Sequence, residues 1–203
     1  SATGASALCS CAVWRVNGPV STAELHYALG RDLLERQPDC REYSVLAAAA
    51  DCGVPIYTSS PGDSSIGMKV AYPELMNDSR LMIDPSKDVN EICAFILAGQ
   101  KNGCVILGGG SPKNFYLQGQ PTLWEVYGIP KGGNDYFIQI TTDQVVWGGL
   151  SGATPAEAVS WGKVNPGVLP DTAVAYVDST IGFPLFCEYV VGSPRNRRPR
   201  KGL

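Results

Sequence analysis

The chain holds a single histidine, His26, among its 203 residues. That scarcity removes the usual partner of a Ser-His or Cys-His catalytic pair and leaves too few nitrogen ligands for a zinc site, so no metal is expected. Charge is sparse too: 17% of residues are Asp, Glu, Lys or Arg, with a formal net charge of -3, which argues against nucleic acid as a partner. No apolar run approaches the ~20 residues needed to span a bilayer, and no charged-then-apolar signal segment opens the chain. A soluble protein away from membranes is expected. The seven cysteines are odd in number and form no Cys-x-x-C pair; they read as reduced thiols of a cytoplasmic protein rather than a disulfide framework. A G-x-G-x-x-G fingerprint is also missing.

What is present is apolar substance. A hydrophobic content of 44% fits one sizeable domain with a filled core, expected over residues 1–192. Residues 193–203 form a basic tail carrying Arg195, Arg197, Arg198, Arg200 and Lys201, expected to be disordered. Ser21 and Glu24 with apolar residues at helical spacing predict a helix over 21–36. A second, alanine-rich helix is expected over 42–51, then a short strand at 54–57 and a polar loop at 58–65. Further on, a helix near 88–101 leads into a buried strand at 103–107, and Pro112-Lys113-Asn114 opens another helix. Strands at 136–142 and 173–177 flank a helix near 155–161. Such alternation implies an α/β, Rossmann-like fold, a mostly parallel sheet with helices on both faces.

Ligands of such sheets gather beyond the carboxyl ends of the strands. Asp63, the run Gly108-Gly109-Gly110, Thr142-Asp143 and Asp178-Ser179 fall at those ends in this sequence. Glycines let backbone approach a ligand closely and carboxylates can accept from ribose hydroxyls, so together they favour a nucleotide-type ligand; as tight turns and helix caps they would need none. Glu157-Ala158-Val159-Ser160-Trp161-Gly162-Lys163 places a lysine behind an aromatic residue and downstream of a carboxylate. A desolvated lysine loses its proton more readily and becomes a nucleophile. Its plainer reading is a helix end, with Gly162 as cap.

In order, Gly62-Asp63-Ser64-Ser65-Ile66-Gly67, Leu107-Gly108-Gly109-Gly110-Ser111-Pro112-Lys113-Asn114, the block from Ser151 to Lys163, and Tyr176-Val177-Asp178-Ser179 with Phe183-Pro184-Leu185 resemble deoxyhypusine synthase. The resemblance covers roughly residues 25–190, and the Ser151–Lys163 block is its most specific part. It implies a transferase that binds NAD, oxidises spermidine, and carries the aminobutyl group as an imine on Lys163. The group would then pass to a lysine of the translation factor 5A precursor. Homospermidine synthases of the same family use putrescine as acceptor, and a non-catalytic subunit is a further alternative. Carried over by position, Trp161 lies along the polyamine and Glu157 holds an ammonium, while Gly109, Asn114, Gly148 and Ser151 belong to the same tunnel. Asp63, Thr142, Asp143, Asp178 and Ser179 would contact the NAD.

Departures from the family cluster around the amine. Met68 stands where a second acid is typical, Asn114-Phe115 where the family has two histidines, and Trp147-Gly148-Gly149-Leu150-Ser151-Gly152 lacks two more acids. Each charge-assisted hydrogen bond lost to an ammonium is worth about 1.5–3 kcal/mol, so either Glu125, Asp135 or a partner's acid compensates, or the amine differs. The pattern looks like the divergent, bacterial-type branch. Nothing corresponds to the family's N-terminal half. Ser1 is therefore read either as an artificial boundary or as a mature end made by self-cleavage, with an N-terminal companion chain from the same precursor. The family's tetramers imply an oligomer with shared sites.

Overall fold

The structure, a computed structural model, describes residues 18–77 and 80–193. The chain divides into two compact units, 1–94 and 95–203. The basic tail lies outside the described residues, apart from Ser193.

In the first unit, helix α1 (Thr22–Arg36) begins on a capping box: Ser21 Oγ accepts from Glu24 N, and Glu24 returns a carboxylate oxygen to Ser21 N. This reciprocal pairing satisfies two amide donors that a helix start leaves open. A 3-10 turn (Pro38–Glu42) leads to α2 (Val45–Cys52), capped by Ser44 and ended by Gly53 at φ 66°. Gly30 of α1 meets α2 so closely that a Cβ there would stand 2.5 Å from the Ala50 Cβ. Helix α3 (Ser65–Asn77) follows, and then α4 (Pro85–Ala98), whose last four residues count with the second unit. Val20, Leu25 and Leu81 form the buried cluster, with Leu29, Ile66 and Val70 against it.

The expected strand at 54–57 is irregular backbone without a ladder. Its polar groups find other partners: Val54 N donates to Ala49 O, and His26 Nδ1 meets Ile56 O at 2.9 Å. Thr58 N then donates to the Thr22 hydroxyl. The sole histidine, expected as an ordinary helix residue, is thus a buried tie between α1 and this segment. Helix α3 has no counterpart among the sequence-based elements.

The second unit contains the sheet, three parallel strands in the order β1 (Gly103–Leu107), β2 (Tyr136–Thr141), β3 (Thr172–Tyr176). Val105 pairs with Ile138 and Ile138 with Ala173. Helix α5 (Ser111–Pro121) continues into a π-helical turn (Thr122–Val126); α6 (Pro155–Ser160) and a 3-10 turn (Pro166–Asp171) precede β3, and α7 (Ser179–Gly192) follows it. Cross-strand partners share a face, so Cys104, Ile106 and Phe137 look one way. Leu117 of α5 and Ala158 of α6 pack there with Val164. On the opposite face Gly182 of α7 approaches Ile140, where a Cβ would come within 3.0 Å of the Ile140 side chain. Helices therefore cover both faces of the sheet, as the alternation of elements predicts. Between β2 and α6 lie a 3-10 turn at Val145–Trp147 and a helical turn at Gly149–Gly152. Cys40, Cys52, Cys93, Cys104 and Cys187 are in no disulfide among the described residues; Cys9 and Cys11 lie outside the described residues.

Candidate functional site

Helix α6 ends in a Schellman motif. Gly162, at φ 66°, donates its N–H to Val159 O, and Lys163 N reaches back to Ala158 O, each at 3.0 Å. Only a residue at ease in left-handed backbone can make this turn, which is glycine's use here. The helix-end reading of the motif is therefore right for the backbone. Its side chain goes elsewhere: Lys163 Nζ donates to Asn114 Oδ1 at 2.8 Å and lies 5.9 Å from the Trp161 ring centroid. One local motif both closes the helix and delivers the amine.

The delivered amine enters a cavity of about 320 Å³ with an apolar wall of Leu117, Leu150, Ala158 and Trp161. Glu157 is the one carboxylate lining it among the described residues. Burial holds the Lys163 ammonium below the usual lysine range, opposed by the negative charge of Glu157. A lysine so desolvated is neutral, and nucleophilic, at lower pH than a surface lysine. Cys104 is no rival nucleophile, because burial pushes its thiol up to about 12.

Four expected site residues, Lys163, Asn114, Glu157 and Trp161, meet in this cavity. Gly109 and Ser151 stand against each other rather than on the cavity wall, and Gly148, at φ 70°, turns the chain into the Gly149–Gly152 helical turn. Ser151 lines a neighbouring polar recess with Thr141, Asp143 and Tyr176. Thr142 follows β2 directly. Asp178 caps α7, its Oδ1 accepting from Thr180 N and Oγ1, and these bonds hold its carboxyl below the usual range; Ser179 begins the helix. Asp63 belongs to the first unit, in the turn leading into α3. Neither acid proposed as a replacement lines the cavity: Asp135 accepts from Asn102 N, and Glu125 sits exposed in the π-helical turn.

Gly109 has no room for a side chain, since its Cβ would stand 2.5 Å from Ser151 Cα. Gly109→Ala should therefore cost about 1–3 kcal/mol through displaced backbone, measured by urea unfolding; an unchanged midpoint would show that the turn yields freely.

Sequence reasoning missed two buried polar residues that frame this site. Asn134, fully buried, donates both N and Nδ2 to Lys163 O at 3.0 and 2.8 Å, and accepts from Tyr116 Oη at 2.8 Å. Its only signal was Gly132-Gly133 before it, where a Cβ on Gly133 would stand 2.7 Å from Asn165 N. The other is Lys113, 7% exposed, whose Nζ donates to Gln139 Oε1, Leu150 O and Ala153 O.

The family model for deoxyhypusine synthase matches residues 6–190. A deoxyhypusine synthase-like protein of Nostoc punctiforme is 53% identical over 184 residues, 88% of this chain and 47% of that protein. One from Thermosynechococcus vestitus is 53% identical over 193 residues, 91% of this chain and 48% of its own. The chain thus spans about half the length of the curated relatives it matches. Among solved structures, a protein of Entamoeba histolytica assigned as a deoxyhypusine synthase superposes with a TM-score of 0.57 at 18% identity, covering 85% of this chain and 47% of that one. That likeness speaks to the fold.

Proposed function

This chain belongs to the deoxyhypusine synthase family, and on that footing we propose that it takes part in NAD-dependent transfer of the aminobutyl group of spermidine, with Lys163 as the covalent carrier. The observation that carries the reading is the Lys163 amine, desolvated and held by one hydrogen bond inside a cavity with an apolar wall and a single acid.

The residues at the strand ends fit a dinucleotide. Thr142-Asp143 and Asp178-Ser179 follow neighbouring parallel strands, and the polar recess beside them includes Thr141, Asp143 and Ser151; carboxylates so placed can accept from ribose hydroxyls. The chemistry NAD supplies when bound is reversible hydride acceptance. Everything else falls to side chains. Toward an oxidised amine, neutral Lys163 Nζ adds its lone pair to the imine carbon. The bond from that carbon to the departing nitrogen breaks, a proton goes to that nitrogen as diaminopropane leaves, and the aminobutyl group stays as an imine on Nζ. An acceptor amine reverses the exchange and frees the lysine. Asn114 orients the amine but cannot take a proton. Glu157 holds an ammonium, and Trp161 with the apolar wall limits the water that would hydrolyse the imine.

With one carboxylate in the cavity, a small diamine such as putrescine is a second acceptor to set beside the lysine of the translation factor 5A precursor. The remaining half of the family's length, as a companion chain from the same precursor, and a tetrameric assembly belong to the same proposal. Supplying NAD and labelled spermidine, trapping with borohydride and mapping the peptides should put label on Lys163. Adding each acceptor before the trap then shows which one removes it. Label on another residue, or none with NAD bound, overturns the carrier role; the latter outcome supports a non-catalytic subunit.

A further inference from the structure

Two lysines share the cavity, and they are bonded in opposite ways. Lys113 Nζ lies 3.1 Å from Gln139 Oε1, 3.2 Å from Leu150 O and 2.7 Å from Ala153 O. An ammonium has three N–H donors and no lone pair, whereas a neutral amine would turn its lone pair on one of those oxygens. The three-oxygen cradle therefore matches the charged form. Phe137, fully buried, adds its ring face 5.7 Å from the same nitrogen. Lys163 Nζ makes one hydrogen bond among the described residues, to Asn114.

The cradle is tied to the rest of the site. Gln139 uses its Nε2 on Gly108 O at 2.7 Å and Ser151 O at 2.9 Å. Lys113 and Gln139 together thus fasten carbonyls of the glycine loop and of the turn that supplies Leu150 and Ala153 to the cavity wall. Asn114, the residue that holds Lys163, is the next residue along α5.

We propose that Lys113 is a positioning residue for Lys163: its ammonium fastens the 150–153 turn against β2, and stands as a fixed positive charge that favours the neutral form of its neighbour. A second cation beside a carrier lysine is a recognised way to free its lone pair. The titratable groups facing the pair are Glu157, which acts on both, and Cys104, which faces Lys113 and stays a neutral thiol. Burial and, more weakly, the positive charge of Lys163 pull Lys113 toward the neutral form; the three oxygens of the cradle hold it charged. The inference adds to the carrier reading of Lys163 but is tested without turnover.

The test is acylation of the intact chain with acetic anhydride, quantified by peptide mass spectrometry from neutral to alkaline pH. In the unaltered protein Lys163 should react while Lys113 is protected; a Lys113 that reacts as fast as Lys163 overturns the proposal. In Lys113→Met, and in Lys113→Gln should the first not fold, the profile of Lys163 should move to higher pH. Its rate at neutral pH should fall about three- to tenfold, a shift of up to about one pKa unit. Profiles that overlay the unaltered protein's in a folded variant overturn the electrostatic role. If neither variant folds, protection of Lys113 in the unaltered chain decides. Borohydride trapping is a separate arm: no trapped label together with a shifted profile sinks the carrier reading and leaves the Lys113 role standing.

Discussion

Lys163→Met and Lys163→Arg should each abolish trapping of a spermidine-derived label and lower aminobutyl transfer by about a thousandfold or more, the scale seen when a covalent nucleophile is removed. The two substitutions separate charge from nucleophilicity. Arginine keeps the cation beside Trp161 and Glu157 but stays protonated at any usable pH, so it offers no lone pair. Methionine keeps the bulk and loses both. Backbone geometry should survive either change, because the Schellman bonds use the main chain. Both variants should unfold near the parent midpoint and keep whatever NAD affinity the parent has, as the proposal requires. If Lys163→Arg retains more than about a tenth of the activity, the lysine is an electrostatic group and not the carrier. The pH dependence has a definite sign. Burial lowers the Lys163 pKa, so imine formation rises as pH climbs through that depressed value, earlier than a surface lysine would allow.

Asp88→Ala should be the most damaging substitution in the first unit, costing about 3 kcal/mol or more. The carboxylate, 2% exposed, accepts from Thr22 N at 3.0 Å, Thr22 Oγ1 at 2.7 Å and Ala23 N at 3.2 Å. It satisfies the start of α1 from the first turn of α4, where it also faces favourable helix dipoles. Alanine would leave buried donors without an acceptor, at about 1–3 kcal/mol each. Thr22 Oγ1 in turn accepts from Thr58 N, so the loss should spread to the 54–58 segment. Asn should do little better, because its amide nitrogen would face a donor. Urea unfolding should show a lower midpoint with an unchanged slope; a loss under about 1 kcal/mol would mean water replaces the carboxylate without penalty.

These two residues mark where sequence is informative. Ser21 and Glu24 lie three apart, and a capping box is a property of that spacing, so α1 was legible. Asp88 acts on a residue 66 positions away, and nothing in its own neighbourhood announces it. The strand expected at 54–57 has suitable residues, yet a strand needs a neighbour, and here His26 and Thr22 took that place. Helix α3 carries Gly67 and Pro73, both weak helix formers, and forms nonetheless. At the site, Trp161, Lys163 and Glu157 are close in sequence and were read together. Asn114 was reached through the family pattern. Lys113 was visible only as its neighbour, because a buried lysine differs from a surface one in partners supplied by β2 and the 150–153 turn. Asn134 was hidden for the same reason.

The main chain of Lys163 is fixed on both sides: its N–H is given to Ala158, and its carbonyl receives two donors from Asn134. The root of the side chain cannot travel, and the amine moves only as far as its four-carbon stem allows. In the proposed reaction, donor and acceptor must therefore come in turn to one point in space. Both must react at the same nitrogen, so the first product has to leave before the second substrate reacts, and initial-rate plots against either one should run parallel, as in a ping-pong scheme.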